Sequence, residues 1–265
     1  MGVGCTVAAI SGVAVGVWLR NPVAWIVGAA FAVGLALRAG ERTELVFLGL
    51  APIGLAASFL SADLQGVHRW VDLGPLHLNV AQVLLPPAVA AIAARAEAWR
   101  WAVAVATIAL LAVQPDASQA MAWGGGLAVL IAMSRGRTWA KAGGFGSIGL
   151  AVVLAWRRPD PLAPVAEVEE IMRLAWAVSP LAAVAAWTAL IGACLSLGRS
   201  RTPAALALAA YAMLAALMPL LGWFPVPLVG MTMSPIIGLW LGAGLLAAQA
   251  RRNDPSTCTP AASGA

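Results

Sequence analysis

Charge is scarce in this chain. Asp, Glu, Lys and Arg make up 10% of its 265 residues, 62% are hydrophobic, and mean hydropathy is +0.88, whereas a water-soluble fold carries about a quarter charged residues. No polar stretch is long enough to build a separate soluble domain, which excludes an appended enzyme domain. Cysteine is nearly absent too. Cys5, Cys194 and Cys258 form no close-spaced pair, and an odd count is no closed disulfide framework. The two histidines, His68 and His77, lack a firm third ligand, so no metal is expected. No cofactor is implied either: Gly144-Phe145-Gly146-Ser147-Ile148-Gly149 spells G-x-G-x-x-G, but no strand precedes it and no βαβ unit surrounds it. Met1 to Gly4 carry no basic residues, and the first apolar run ends at Trp18-Leu19-Arg20 rather than at a small-residue cleavage site, so this segment is expected to be a retained span.

What is present is a series of apolar runs, at 3–19, 22–37, 43–61, 81–96, 99–113, 119–134, 138–156, 171–197, 203–223 and 229–250. At about 20 residues per crossing they predict an all-α, polytopic transmembrane bundle of about ten spans over 1–252, with a disordered cytoplasmic tail at 253–265. Glycines at 124–126 and at 143, 144, 146 and 149 are expected to allow close helix packing. Prolines at 86, 87, 180, 219 and 235 predict kinks within or at the ends of spans, and Thr202-Pro203 reads as a helix start.

Basic residues set the orientation. With both termini in the cytoplasm, eleven of the sixteen lie inside (Arg38, Arg42, Arg95, Arg100, Arg135, Arg137, Lys141, Arg199, Arg201, Arg251 and Arg252), leaving Arg20, Arg69, Arg157, Arg158 and Arg173 outside. The basic residues are scattered singly between apolar runs, so a pI near 10.1 reports topology, not a nucleic-acid surface.

Polar side chains concentrate in two outer loops. The first, 63–79, mixes Asp63, His68, Arg69, Trp70, Asp72 and His77; it reads either as an interfacial anchor with Arg69 paired to Asp72, or as a binding surface. The second, 156–170, is stiffened by Pro159, Pro161 and Pro164 and ends in Glu167, Glu169 and Glu170. Those carboxylates suit a helix N-terminus, and equally a general base beside arginines that hold a pyrophosphate.

Gly66-Val67-His68-Arg69-Trp70-Val71-Asp72-Leu73-Gly74 resembles the G-x-x-R-W-x-x-L-G loop of the SEDS family, the FtsW, RodA and SpoVE proteins of bacterial division, elongation and sporulation. Gln114-Pro115-Asp116 matches that family's Q-P-D motif, and Pro225 to Pro235 resembles its proline-rich stretch ahead of the last span. The resemblance implies a multi-pass protein of the bacterial cytoplasmic (inner) membrane that polymerises lipid II, an undecaprenyl-linked substrate, as a peptidoglycan glycosyltransferase beside a class B penicillin-binding transpeptidase. Arg69, Trp70, Asp72, Gln114, Asp116, Arg157, Arg158 and Arg173 are then substrate-binding candidates, with Glu169 or Glu170 as the catalytic base.

The chain also departs from the pattern. Gln82 stands where the family has a carboxylate, the outer loop is cut to about fourteen residues, and Ile171 falls near the family's essential aspartate, with Glu169 and Glu170 a turn short of it. Three readings stay open: an active polymerase, a non-catalytic SEDS-like protein that binds lipid carrier or acts as a scaffold, and an unrelated small-molecule transporter. The near absence of ionisable residues in mid-span weighs against the last.

Overall fold

The computed structural model describes residues 1–74, 76–95, 97–158 and 160–254. It is a helical bundle with a single hairpin: α1 (Gly2–Ile10), α2 (Val15–Trp18), α3 (Arg20–Arg38), α4 (Glu41–Ser58), β1 (Trp70–Leu73), β2 (Leu76–Asn79), α5 (Val80–Ala93), α6 (Ala98–Val113), α7 (Ala117–Met133), α8 (Thr138–Trp156), α9 (Ile171–Val178), α10 (Pro180–Leu197), α11 (Pro203–Leu217) and α12 (Ser234–Arg252). Among the described residues strands are confined to the hairpin, so the all-α architecture stands. Four helical stretches, Val15–Arg38, Thr138–Trp156, Pro180–Leu197 and Pro203–Leu220, are long and apolar enough to cross a membrane. The polar tail expected at 253–265, with Cys258, lies almost wholly outside the described residues.

Two of the apolar runs are not single helices. The first breaks after Ile10, where Gly12 takes φ +80°, a left-handed conformation that glycine adopts without a Cβ clash. The run 171–197 breaks at Ser179, which is extended (φ −169°, ψ 148°) and whose side chain accepts the Ala182 N–H, with Pro180 in the first turn of α10. Thr202 caps α11 in the same way ahead of Pro203, as the sequence predicts.

The centre of the bundle is α5, buried continuously from Leu85 to Ile92 and surrounded by α4, α7, α11 and α12. Glycines set the spacing around it: a Cβ on Gly238 would lie 2.0 Å from the Gln82 carbonyl oxygen, and one on Gly244 2.7 Å from Ala32 backbone, so α12 packs backbone to backbone against α5 and α3. Gly124, Gly125 and Gly126 instead make room for the side chains of Ile148, Leu214 and Val89. The α8 glycines do not all follow: Gly144 meets Ile131, but Gly143, Gly146 and Gly149 face open space. The reason is position, since α8 buries only Ala151 and Ala155 and otherwise turns outward.

Polar loops gather at both ends. At one end the 157–170 and 221–233 segments are stitched together, Met231 N–H to the Glu167 carbonyl and Val226 N–H to the Val168 carbonyl. Asn79 N–H donates there to the Ser234 hydroxyl, bringing in the hairpin. At the other end Arg252 donates to the Ala39 carbonyl at 2.8 Å and to Glu44, and Arg95 donates to Glu41 at 2.7 Å.

Candidate active site

The hairpin follows from alternation: Trp70, Val71, Asp72 and Leu73 pair with Asn79, Leu78, His77 and Leu76, and Gly74 ends the first strand at φ +62°. This strand pairing turns Arg69, just before β1, back into the protein, where it is only 8% exposed. Its guanidinium donates to the Pro115 carbonyl at 2.6 Å and to Asp160, and its Nε lies 3.7 Å from Asp116. Arg69 thus ties the first outer loop, the α6–α7 corner and the second outer loop together, with two carboxylates around one cation.

Asp116 is fixed from the other side as well. It caps α7 by accepting the Gln119 N–H at 3.1 Å and also accepts the Ser118 hydroxyl at 2.9 Å. Behind it the polar file continues into the bundle, where the Tyr211 hydroxyl donates to Gln119 Oε1 at 2.5 Å. A cavity of about 50 Å³ sits over this cluster, lined by Arg69, Trp70, Gln82, Asp116, Asp160 and Glu169, with Phe224 and Pro225 among its apolar walls. It has room for a water or two and none for a sugar.

Of the two candidate glutamates, Glu169 is the one that lines the cavity. It accepts the Val165 N–H at 2.8 Å and so closes the turn that ends the 157–170 loop. Burial pushes its carboxyl above the usual carboxylate range; hydrogen bonds from Val165 and its own backbone offset part of this, and Asp160 and Glu167 add to it. Glu170 points away and pairs with Arg173 at 2.9 Å. Ile171, which follows it and opens α9, is fully buried.

The remaining candidates fall outside the cavity. Asp72 is exposed on the hairpin and pairs with His77 at 2.5 Å, so it is not the partner of Arg69; the His77 ring stacks on Trp70 at 5.3 Å. Gln114 is buried and joins α6 to α4, donating to the Leu55 carbonyl at 3.0 Å and to Ser58 at 2.5 Å. Arg157 and Arg158 stand at the mouth of an apolar groove of about 480 Å³ between α6 and α8, lined by Ile108, Val113, Leu150 and Leu154. Arg158 also donates to the Val113 carbonyl at 3.2 Å. Sequence reasoning missed Asp160 as the partner of Arg69; its only signal is an acid in a loop that otherwise opens with two arginines.

No protein-family model and no curated protein matches the chain by sequence. Solved structures do match. A chain of a peptidoglycan synthase complex, described as coordinating polymerization and crosslinking, superposes with TM-score 0.63 at 20% identity, covering 94% of this chain and 96% of that one. The chain has the RodA fold. Rod shape determining protein RodA of Thermus thermophilus superposes with TM-score 0.56 at 19% identity, and an aspartate-to-alanine mutant of it with 0.57 at 18%; each comparison covers 96% of this chain and 94% of RodA. The RodA fold, together with the four membrane-length helices, makes the chain an integral membrane protein.

Proposed function

We propose that this protein is a SEDS-type component of bacterial peptidoglycan synthesis in the cytoplasmic membrane, crossing it about ten times with both termini inside, and that it polymerises lipid II at the outer face. The observation that carries the reading is Glu169: a carboxylate with a raised proton affinity, in a cavity beside an arginine-bound carboxylate pair, in a RodA fold. Such a group, shifted toward neutral pH, suits a general base for the attacking sugar hydroxyl.

The α6–α8 groove supports the substrate class. It is apolar along its length and opens at Arg157 and Arg158, which fits an isoprenoid tail with its pyrophosphate on two cations. Arg69 then orders the site rather than gripping phosphate, because Asp116 and Asp160 already surround it. The closed cavity requires the 160–170 strap to move aside before a disaccharide enters. A class B penicillin-binding transpeptidase is the partner that would crosslink the product.

The substrate assignment is tested by binding. Purified protein in detergent should take up undecaprenyl pyrophosphate, and the Arg157→Gln/Arg158→Gln double variant should bind it at least tenfold more weakly. Equal affinity in the two proteins would remove this groove from the reading.

A further inference from the structure

The end of the bundle away from Glu169 holds a cavity of about 350 Å³, within the range of small-molecule sites, about 300–1,000 Å³. Helices α5 and α12 both start at the candidate active site, where the Asn79 N–H meets the Ser234 hydroxyl, and both finish in the wall of this cavity. The 14 residues of α5, at about 1.5 Å each, put the two sites about 21 Å apart. In the orientation proposed above, the cavity faces the cytoplasm.

Its walls differ in charge. One is built by the start of α4 with the ends of α5 and α12. Glu44 is 2% exposed there, and Gln249, at 3.1 Å, and Arg252 both donate to its Oε1. Among the described residues, Oε2 of the same carboxylate accepts no hydrogen bond. A buried carboxylate oxygen without a donor is costly, so this wall calls for an N–H group. Glu41 stands one turn before Glu44 on the same face of α4, half-exposed and paired with Arg95. The other wall is the 200–204 segment, where the Ser200 and Thr202 hydroxyls stand beside the first turn of α11. Thr202 Oγ1 takes the Ala205 N–H, which leaves the Ala204 N–H at the positive end of the helix. Two carboxylates, Glu41 and Glu44, balance two guanidiniums, Arg95 and Arg252, around the cavity. A ligand of net charge would leave that charge uncompensated, whereas a dipolar ligand would not.

We infer that this cavity binds a dipolar ligand with a primary ammonium and a phosphate a few bonds apart, the chemistry shared by an ethanolamine phospholipid headgroup and a soluble phosphoethanolamine. The ammonium donates to Glu44 Oε2 and to Glu41, while the phosphate accepts from the Ser200 and Thr202 hydroxyls and the Ala204 N–H. Bound there, the ligand ties the ends of α4, α5, α11 and α12 together. A trimethylammonium has no N–H to give Glu44, so choline analogues are rejected. The assignment does not depend on the polymerase reading of the other end.

The test is headgroup selectivity. The full chain in detergent is titrated with phosphatidylethanolamine, phosphatidylcholine or phosphatidylglycerol and read by native mass spectrometry. Phosphatidylethanolamine should bind more tightly than either other lipid by about tenfold, the worth of one hydrogen bond to a charged group. Ala250→Trp, which fills the cavity from an exposed position in its wall, should abolish that preference. Glu41→Gln, at a half-exposed side chain, should weaken it about fivefold. Both changes are at accessible positions, so folding is preserved. Glycerophosphoethanolamine in solution separates the two sources: displacement of the lipid at equal concentration identifies a soluble ligand, lack of displacement identifies the lipid, and either supports the dipolar site. Equal affinity for phosphatidylcholine overturns the ammonium recognition. A preference that persists in Ala250→Trp overturns the cavity as its seat, and a parent that binds neither phosphatidylethanolamine nor glycerophosphoethanolamine overturns the inference outright.

Discussion

Replacing Arg69 with alanine removes the cation from between Asp116 and Asp160. The two carboxylates do not respond alike. The Asp116 side chain is 3% exposed, so its charge is left buried without a counter-ion, a change that typically costs about 3–5 kcal/mol. The Asp160 side chain is 25% exposed and keeps part of its hydration, so its loss is at the level of a partly screened pair, under about 1 kcal/mol. The sum, about 4 kcal/mol, falls on the junction of the hairpin, the α6–α7 corner and the 160–170 strap. Asp160→Asn keeps the Arg69–Asp116 contact and should cost about 1 kcal/mol. Hydrogen exchange reads the difference at the Val226 and Met231 amides, which bond to the strap carbonyls of Val168 and Glu167. Since each 1.4 kcal/mol is a factor of ten, their exchange should accelerate about a thousandfold in Arg69→Ala and about fivefold in Asp160→Asn. Unchanged exchange in Arg69→Ala would refute the keystone role and return Arg69 to a free, phosphate-binding cation.

Three further outcomes are expected. Because the folded-state pKa of Glu169 is raised, the folded protein holds that proton more tightly than the unfolded chain, and stability should decline as pH rises from the ordinary carboxylate value through the raised one; thermal melts followed from the ordinary carboxylate range upward in pH should show a flatter profile for Glu169→Gln, and an identical slope in both proteins would contradict the burial argument. Gly238→Val should abolish folded yield, since its side chain would collide with the Gln82 carbonyl, whereas Gly146→Ala on the open face of α8 should be neutral or stabilising by up to about 1 kcal/mol; size-exclusion profiles of the two variants decide this. Cysteines placed at Gln65 and Ala163 should react with an impermeant maleimide from the outer side of intact cells, and labelling of both from the cytoplasmic side alone would reverse the topology.

Much of the fold was legible because the bilayer imposes one rule, a long apolar run per helix, and the runs from α3 to α8 obey it. The breaks at Gly12 and Ser179 were not, since both segments are as apolar as their neighbours and the interruption comes from backbone conformation. The hairpin is hidden within a loop dominated by its charges, although Val71 to Leu73 and Leu76 to Asn79 alternate on either side of Gly74. At the site, Arg69, Asp116 and Glu169 were visible as residues, but their relation was not: the Arg69–Asp160 pair spans 91 positions, and nothing local distinguishes it from the nearer Asp72. Likewise Glu169 and Glu170 are adjacent and chemically identical in sequence, and only the turn closed on Val165 turns one into the cavity and the other toward Arg173.

The most direct measurement is lipid II polymerisation by the purified protein in proteoliposomes, comparing the parent with Glu169→Gln and Glu170→Gln singly. Glycan strands should form with the parent and persist with Glu170→Gln, while Glu169→Gln should slow their formation by about 10²–10⁴, the usual worth of a general base. Glycan synthesis that survives Glu169→Gln, or a folded parent that binds lipid II and forms no strands, would contradict the assignment of Glu169 as the proton acceptor of a polymerase.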